Sequence, residues 1–102
     1  MLRRAILLHP DDNVATALTD LEAGETVEVV LDKITASVIL KDEIEFGHKF
    51  ALKSIPEGQP VLKYGLPIGN ALEPIGPGAW VHVHNCRSEH FGFRREKYGL
   101  RA

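Results

Sequence analysis

One spacing of residues recurs along the chain and first appears in Ala17-Leu18-Thr19-Asp20-Leu21-Glu22-Ala23-Gly24-Glu25-Thr26-Val27. An Ala-Leu pair is followed at three-residue intervals by an aliphatic residue, a glycine and a valine, and the pattern recurs at 51–61 and 71–81. A fainter copy spans 44–50. Apolar residues three apart lie on one side of a turn and hold it against a core, while glycine permits the positive φ of a chain reversal. The repeat predicts a compact β-fold of hooked strands.

Alternating apolar residues between the turns predict further strands. The predicted strands cover 3–8, 27–31, 34–40, 60–64 and 79–84. The second and third of these form a predicted hairpin over Asp32-Lys33, although that pair is an unusual turn sequence.

One segment has the periodicity of a helix. Val14, Ala17, Leu18 and Leu21 follow the i, i+3, i+4, i+7 pattern. Asp11 or Asp12 is a suitable N-cap, because its carboxylate can accept the first free backbone N–H groups. We therefore expect one short amphipathic helix in an otherwise β chain.

Composition limits the classes of protein to which the chain can belong. Of its 102 residues, 44% are hydrophobic and 25% charged, with a formal net charge of −2. These values are typical of one globular domain, and they offer no basic excess for nucleic acid. The longest apolar run, Ala5-Ile6-Leu7-Leu8, is far shorter than the ~20 residues of a membrane span. The single cysteine, Cys86, excludes an internal disulfide and favours the cytoplasm.

The domain organisation follows from the same composition. Residues 1–87 are predicted to form the compact domain. Residues 88–102 are polar and lack apolar periodicity, so we expect a flexible tail or an arm that contacts a partner.

Histidines are the candidate functional residues. In Trp80-Val81-His82-Val83-His84-Asn85 a strand would project His82 and His84 from one face, roughly 7 Å apart, with Trp80 beside them. Two such imidazoles can share a metal ion, or can be ordinary strand histidines held by hydrogen bonds. His48-Lys49 follows Gly47 and offers an acid or base and a positive charge, or a solvated surface turn. The spacing alone leaves these alternatives open.

Four motifs occur in a fixed order along the chain. They are His9-Pro10-x-Asp12-Asn13-Val14-Ala15, Gly47-His48-Lys49-Phe50-Ala51-Leu52, Lys63-Tyr64-Gly65-x-Pro67-Ile68-Gly69 and Val81-His82-Val83-His84-Asn85. Together they resemble the small N-terminal subunit or domain of the altronate dehydratase family, from about Ile6 to Arg87. The resemblance implies an SAF-type β-clip fold, which agrees with hooked strands and glycine turns.

The resemblance also implies an activity. Members of that family dehydrate sugar acids: altronate loses water to give 2-keto-3-deoxygluconate, and related members act on galactarate or eliminate sulfite from sulfolactate. The reaction is expected to depend on a divalent metal, Fe2+ or Mn2+. Much of the active site would come from a large catalytic subunit, so the chain alone is expected to be inactive.

The resemblance implies roles for particular residues. His48 and Lys49 are expected to be catalytic. Asn13, Lys49 and Asn85 are expected to bind the substrate, and His48, His82 and His84 the metal. The alternatives are the small subunit of a sulfolactate sulfo-lyase or another sugar-acid lyase, and a non-catalytic carbohydrate-binding module. No nucleic-acid or membrane partner is expected, and the isolated chain could form a homo-oligomer.

Overall fold

The computed structural model describes residues 4–88, which form nine short strands and no helix. The strands are β1 (Ala5–Ile6), β2 (Val14–Ala17), β3 (Thr26–Leu31), β4 (Ile34–Ile39), β5 (Lys49–Ala51), β6 (Pro60–Lys63), β7 (Leu66–Ala71), β8 (Trp80–Val81) and β9 (Cys86–Arg87). They form a four-stranded sheet in the order β1-β2-β5-β8, the β3-β4 hairpin, and a three-stranded sheet in the order β6-β7-β9. All strand pairs are antiparallel. The prediction of a mostly β fold of short strands is confirmed.

The glycine of every repeat copy occupies the conformation that the sequence predicts. Gly24, Gly47, Gly58 and Gly78 have φ values of 89°, 85°, 83° and 84°. Each occupies the third position of a tight turn, closed by an N–H from the following residue to the carbonyl three residues earlier, as between Ala79 and Gly76 (3.1 Å). A positive φ at that position is typical of a type II turn, which selects glycine.

The four copies associate as two reciprocal pairs. The 17–27 copy pairs with the fainter copy, which in the structure begins at Leu40. Gly24 N–H donates to the Leu40 carbonyl (2.8 Å), and Gly47 N–H donates to the Ala17 carbonyl (2.9 Å). The 51–61 and 71–81 copies repeat this arrangement, since Gly58 and Gly78 bind the Ala71 and Ala51 carbonyls (both 2.8 Å). The fainter copy is therefore a full structural partner.

The residue after each glycine completes the pairing through its backbone. The carbonyls of Glu25, His48, Gln59 and Ala79 accept the N–H groups of Leu40, Ala17, Ala71 and Ala51, respectively, at 2.9 Å. Isolated bridges between Leu21 and Ile44, and between Ile55 and Ile75, join the aliphatic positions of the paired copies. Each turn is thus held by backbone bonds on both sides.

The predicted helix is wrong, because Val14–Ala17 is β2. This strand pairs with both β1 and β5, and three of its four residues are buried, so it is a central strand with little exposed polar surface. Leu18, which the helical pattern would bury, is 38% exposed. Asp12 does not cap a helix: its carboxylate accepts the N–H groups of Tyr64 (3.0 Å) and Gly65 (2.8 Å) in the β6-β7 turn.

The hairpin over Asp32-Lys33 is confirmed, with Val29 opposite Ala36. Asp32 has a φ of 53°, a left-handed conformation that aspartate tolerates better than most residues. The first predicted strand is shorter than expected and covers Ala5–Ile6. The strand predicted for 79–84 also ends early, at Val81.

Two clusters of buried side chains flank the four-stranded sheet. The first core cluster contains Ala5, Leu7, Ala15, Ala17, Leu21, Val27, Val29, Val38, Leu40, Ile44 and Phe50. The second core cluster contains Val14, Ala51, Ile55, Val61, Ala71, Ile75 and Val81. Neighbours on a strand point to opposite faces, as Phe50 and Ala51 do, so the sheet lies between the two clusters.

Within residues 4–88 the structure contains no helix that could cross a membrane. The predicted polar tail lies, apart from Ser88, outside the described residues.

Two glycine substitutions separate backbone strain from steric collision. At Gly58 an added Cβ meets nothing within 4 Å, so Gly58→Ala is expected to cost only the strain of a left-handed residue, about 1–2 kcal/mol. At Gly78 the same Cβ would collide with the Ile39 carbonyl oxygen. We expect Gly78→Ala to lower the free energy of unfolding at least twice as much, measured by urea denaturation. Equal losses would contradict the tight packing of the Gly78 turn.

Candidate functional site

Three histidines surround Trp80 at one edge of the four-stranded sheet. His48 follows the Gly47 turn and immediately precedes β5, while Trp80 begins β8 and pairs with Phe50 of β5. The Trp80 indole N–H donates to Nδ1 of His48 (3.1 Å). The centre of the Trp80 ring lies 5.1 Å from that of His82 and 4.8 Å from that of His84. We call these four side chains the histidine cluster.

The His82 ring contacts two other rings of the cluster. It stacks on the indole at an interplanar angle of 11°, and its centre lies 5.0 Å from that of His48. The backbone N–H of Trp80 donates to Oδ2 of Asp42 (2.8 Å), which fixes the backbone at the start of β8. The β5-β8 pairing and this bond together bring His48 and His82 into contact, although they lie 34 positions apart in the sequence.

The cluster is held by a turn at residues 82–85 that the sequence analysis predicted as strand. Asn85 is 5% exposed; its Oδ1 accepts the His82 N–H (2.9 Å) and its Nδ2 donates to the Trp80 carbonyl (2.8 Å). The His82 carbonyl in turn accepts the Asn85 and Cys86 N–H groups. This turn still directs His82 and His84 toward Trp80. The Asn85 amide is occupied by the backbone, so it positions the cluster.

Lys49 adds a half-buried cation beside the cluster. It lies on β5 opposite Thr16 of β2 and Val81 of β8. Burial lowers the pKa of the Lys49 ammonium, and the charge of Lys63 lowers it further, against a smaller opposite effect of Cys86. Burial likewise raises the pKa of the Cys86 thiol, partly offset by Lys49.

The charged groups around His82 are basic. Burial is the largest cause of the lowered pKa of His82, and the charges of His48, Lys49 and His84 lower it further. A site in which bases repel one another favours an anion, because a bound negative charge relieves that repulsion. The arrangement can therefore bind a carboxylate and donate several hydrogen bonds to it.

Asn13 has a structural role. It is 9% exposed, its Nδ2 donates to the Pro60 carbonyl (3.0 Å), and its Oδ1 accepts the Leu62 N–H (2.8 Å). Both polar atoms of the side chain thus fasten β6, and the structure does not bring Asn13 into the histidine cluster.

The donor atoms of the three predicted metal ligands are not arranged to share one metal ion. Among the described residues, no group of three or more His, Cys, Asp or Glu side chains is placed to hold a metal ion. His48, His82 and His84 surround an indole ring, and Nδ1 of His48 is occupied by the indole N–H. Residues 4–88 therefore do not fit a complete Fe2+ or Mn2+ site.

Asp42 is the contributor that the sequence does not indicate. Alternation in 80–84 places Trp80 beside the histidines but does not show that its indole binds His48. Asp42 is distant in sequence from β8, and no local pattern connects it with the Trp80 N–H.

Loss of the Asn85 side chain is expected to destabilise the domain. Asn85→Ala leaves the His82 N–H and the Trp80 carbonyl without their partner, at about 1–3 kcal/mol for each buried group. Asn70→Ala is a matched control, since the Asn70 amide makes an exposed bond to the Gly58 carbonyl. The measurement is the free energy of unfolding in urea. A smaller loss for Asn85→Ala than for Asn70→Ala would contradict its role.

Removal of the Lys49 charge is expected to raise the pKa of His82. The Lys49 ammonium disfavours the imidazolium of His82, so Lys49→Met moves that pKa upward, toward the ordinary 6.5. The change is measured by NMR titration of the imidazole Cε1 proton. Lys53→Met is the control, because Lys53 is exposed and is not among the charges that act on His82. An unchanged pKa in Lys49→Met would contradict the proposed proximity.

Comparison with known proteins identifies the family. Residues 3–89 match the altronate/galactarate dehydratase SAF domain. The altronate dehydratase of Escherichia coli (strain K12) is 51% identical over 83 residues, which are 81% of this chain and 16% of that protein. The altronate dehydratase of Bacillus subtilis (strain 168) is 41% identical over 87 residues, 85% of this chain and 17% of that protein.

A third relative is much shorter than the two dehydratases, so the chain covers most of it. Subunit alpha of (2R)-sulfolactate sulfo-lyase from Chromohalobacter salexigens is 34% identical over 82 residues, 78% of this chain and 87% of that subunit. The chain thus spans about one-sixth of the two dehydratases but most of the sulfo-lyase subunit. These relatives are lyases. Since the family match covers all the described residues, the chain belongs to the altronate/galactarate dehydratase SAF domain family.

Proposed function

We propose that this domain binds the carboxylate of a sugar acid in a dehydratase of the altronate type, which eliminates water to give 2-keto-3-deoxygluconate. The observation that carries the proposal is the concentration of basic groups at one edge of the sheet. Burial lowers the pKa of His82, and the charges of His48, Lys49 and His84 lower it further. Burial and the charge of Lys63 lower the pKa of Lys49 in the same way. A sugar acid supplies the missing negative charge.

The elimination requires three chemical tasks. A base removes the proton next to the carboxylate, a positive environment stabilises the enediolate that develops, and an acid assists the departing hydroxyl. Lys49 suits the second task through its positive charge, which acts on His82, and the histidine cluster suits it through its imidazole N–H groups. Burial and the charge of Lys63 lower the pKa of Lys49, which makes its ammonium a stronger acid than that of an exposed lysine. Asn85 contributes by holding Trp80 and His82 in place.

A large catalytic partner is part of the proposal. The histidine cluster lies at an open surface, whereas elimination needs a site that excludes water. Exposed apolar side chains flank the cluster: Val83 is 76% exposed, and Leu72, whose N–H binds the Asn85 carbonyl, is 47% exposed. A partner that covers them would close the site. Without it, the same surface can support self-association of the chain.

The cofactor and the location of the enzyme belong to the same proposal. Fe2+ or Mn2+ would need ligands from the partner, because the described residues do not provide three. When bound, the metal would stabilise negative charge on the substrate. The free thiol of Cys86 agrees with a cytoplasmic enzyme.

A second candidate function is the small subunit of a sulfolactate sulfo-lyase. It is favoured by the match over 87% of the alpha subunit from Chromohalobacter salexigens. Both reactions act on a hydroxy-acid anion and need the same positive surface. They differ in the leaving group, which is sulfite rather than water.

Reconstitution tests the proposed function. We expect the isolated chain to show little or no turnover of altronate, and a mixture with the large catalytic subunit of an altronate-type dehydratase to form the keto acid. Lys49→Met in the mixture should lower the rate by about tenfold or more, as expected for losing one charge-assisted bond. Lys53→Met should leave the rate unchanged.

The outcomes separate the alternatives. Strong turnover by the chain alone, or equal rates for the two lysine variants, would contradict the proposal. Sulfite release from (2R)-sulfolactate without keto-acid formation from altronate would favour the sulfo-lyase. Retention of altronate by the chain, with no activity in any mixture, would favour a carbohydrate-binding module.

A further inference from the structure

We propose that Trp80 is a positioning residue that fixes the proton of His48 on Nε2, so that His48 acts as a hydrogen-bond donor to the substrate anion. The proposal rests on the proposed function for the identity of that anion. The state of the imidazole itself follows from one hydrogen bond and can be measured without any ligand.

The indole and the imidazole differ in which nitrogens can donate a hydrogen bond. The indole Nε1 of tryptophan always carries its hydrogen and can only donate. Its partner at 3.1 Å is Nδ1 of His48, which must therefore present a lone pair. A neutral imidazole carries one proton, so that proton is on Nε2. The bond thus selects one of two tautomers.

The rest of the site makes this selection durable. The backbone N–H of Trp80 donates to Asp42, and its backbone carbonyl accepts from Asn85. The stacked His82 covers one face of the indole ring. The His48 backbone is fixed as well, since its N–H donates to the Glu45 carbonyl (3.0 Å) and its carbonyl accepts the Ala17 N–H (2.9 Å). The backbones that carry the two rings are thus fixed in two different repeat copies, and the stacked His82 limits the movement of the indole.

The tautomer decides between the roles that the sequence left open for His48. A general base or a metal ligand needs a free lone pair, but Nδ1 is engaged by the indole and Nε2 carries the proton. An Nε2–H group is instead a donor suited to a carboxylate or to the enediolate that forms from it. His48 therefore belongs with Lys49 in stabilising negative charge, and the base that removes the substrate proton must be another group.

NMR of the 15N-labelled full chain tests the proposal directly. We expect wild-type His48 to be the Nε2–H tautomer, seen as a protonated Nε2 and an unprotonated Nδ1 in long-range 1H–15N spectra. Trp80→Phe keeps an aromatic ring but removes the donor, so a measurable fraction of His48 should convert to the Nδ1–H tautomer. Val83→Ala, at an exposed position in the same turn, should change nothing.

The wild-type spectrum decides the proposal even if Trp80→Phe fails to fold. Dominance of the Nδ1–H form in the wild-type protein would overturn it. So would an unaltered His48 tautomer in a folded Trp80→Phe variant.

Two substitutions of His48 test the role of the donor, with altronate as the probe and the corresponding uncharged alditol as the control ligand. Glutamine carries an N–H near the position of Nε2, whereas phenylalanine fills the space without one. We expect His48→Gln to keep the Kd within about threefold and His48→Phe to raise it about tenfold, the effect of one bond to a charged group. Equal weakening by both substitutions would overturn the donor role. If the wild-type chain does not bind altronate, the proposed function fails, while the tautomer measurement still decides the state of His48.

Discussion

Reciprocal hydrogen bonding between glycine turns is the constraint on which the structure depends. Each turn needs a glycine at positive φ, and its N–H is satisfied by the first residue of another copy of the same motif. Two turns that complete each other in this way need little other secondary structure, and several of the strands are only two or three residues long. The two core clusters then fill the space on either side of the four-stranded sheet.

The candidate site arises where the two pairs of copies meet. His48 belongs to the first pair and Trp80 to the second, and they are joined by the short β5-β8 pairing. The β5-β8 pairing brings the basic groups together at this edge. A bound anion would relieve the repulsion between them. The proposed function makes this edge the anion-binding part of a larger lyase.

The sequence predicted the turns better than the segments between them. Glycine at a fixed interval has one main physical meaning, so the turns were predicted correctly. Alternation of apolar residues on both sides of Asp32-Lys33 gave the β3-β4 hairpin. The pattern of Val14, Ala17, Leu18 and Leu21 is ambiguous, because a central strand followed by a turn yields the same apolar spacing as a short helix. The alternation at 80–85 also predicted a strand where the chain turns after Val81. There the Asn85 amide, and not a neighbouring strand, binds the His82 N–H and the Trp80 carbonyl.

The site residues could be predicted as a set but not by role. The motifs drew attention to His48, Lys49, His82 and His84, and the structure brings these side chains together. Their roles depend on long-range contacts that no local pattern contains, such as the bond from Trp80 to His48. Asn13 and Asn85 are suitable chemical types for a substrate site, but burial commits both to the backbone.

The residue after each turn glycine joins the paired copies through its backbone, which leaves its side chain available for other contacts. Its carbonyl oxygen performs the structural task in all four copies, whether the residue is Glu25, His48, Gln59 or Ala79. The backbone bonds that join the paired copies therefore do not depend on the identity of that side chain. An imidazole at position 48 can thus serve a binding site without disturbing the bonds that join the copies. Of these four residues, His48 is the one that belongs to the histidine cluster.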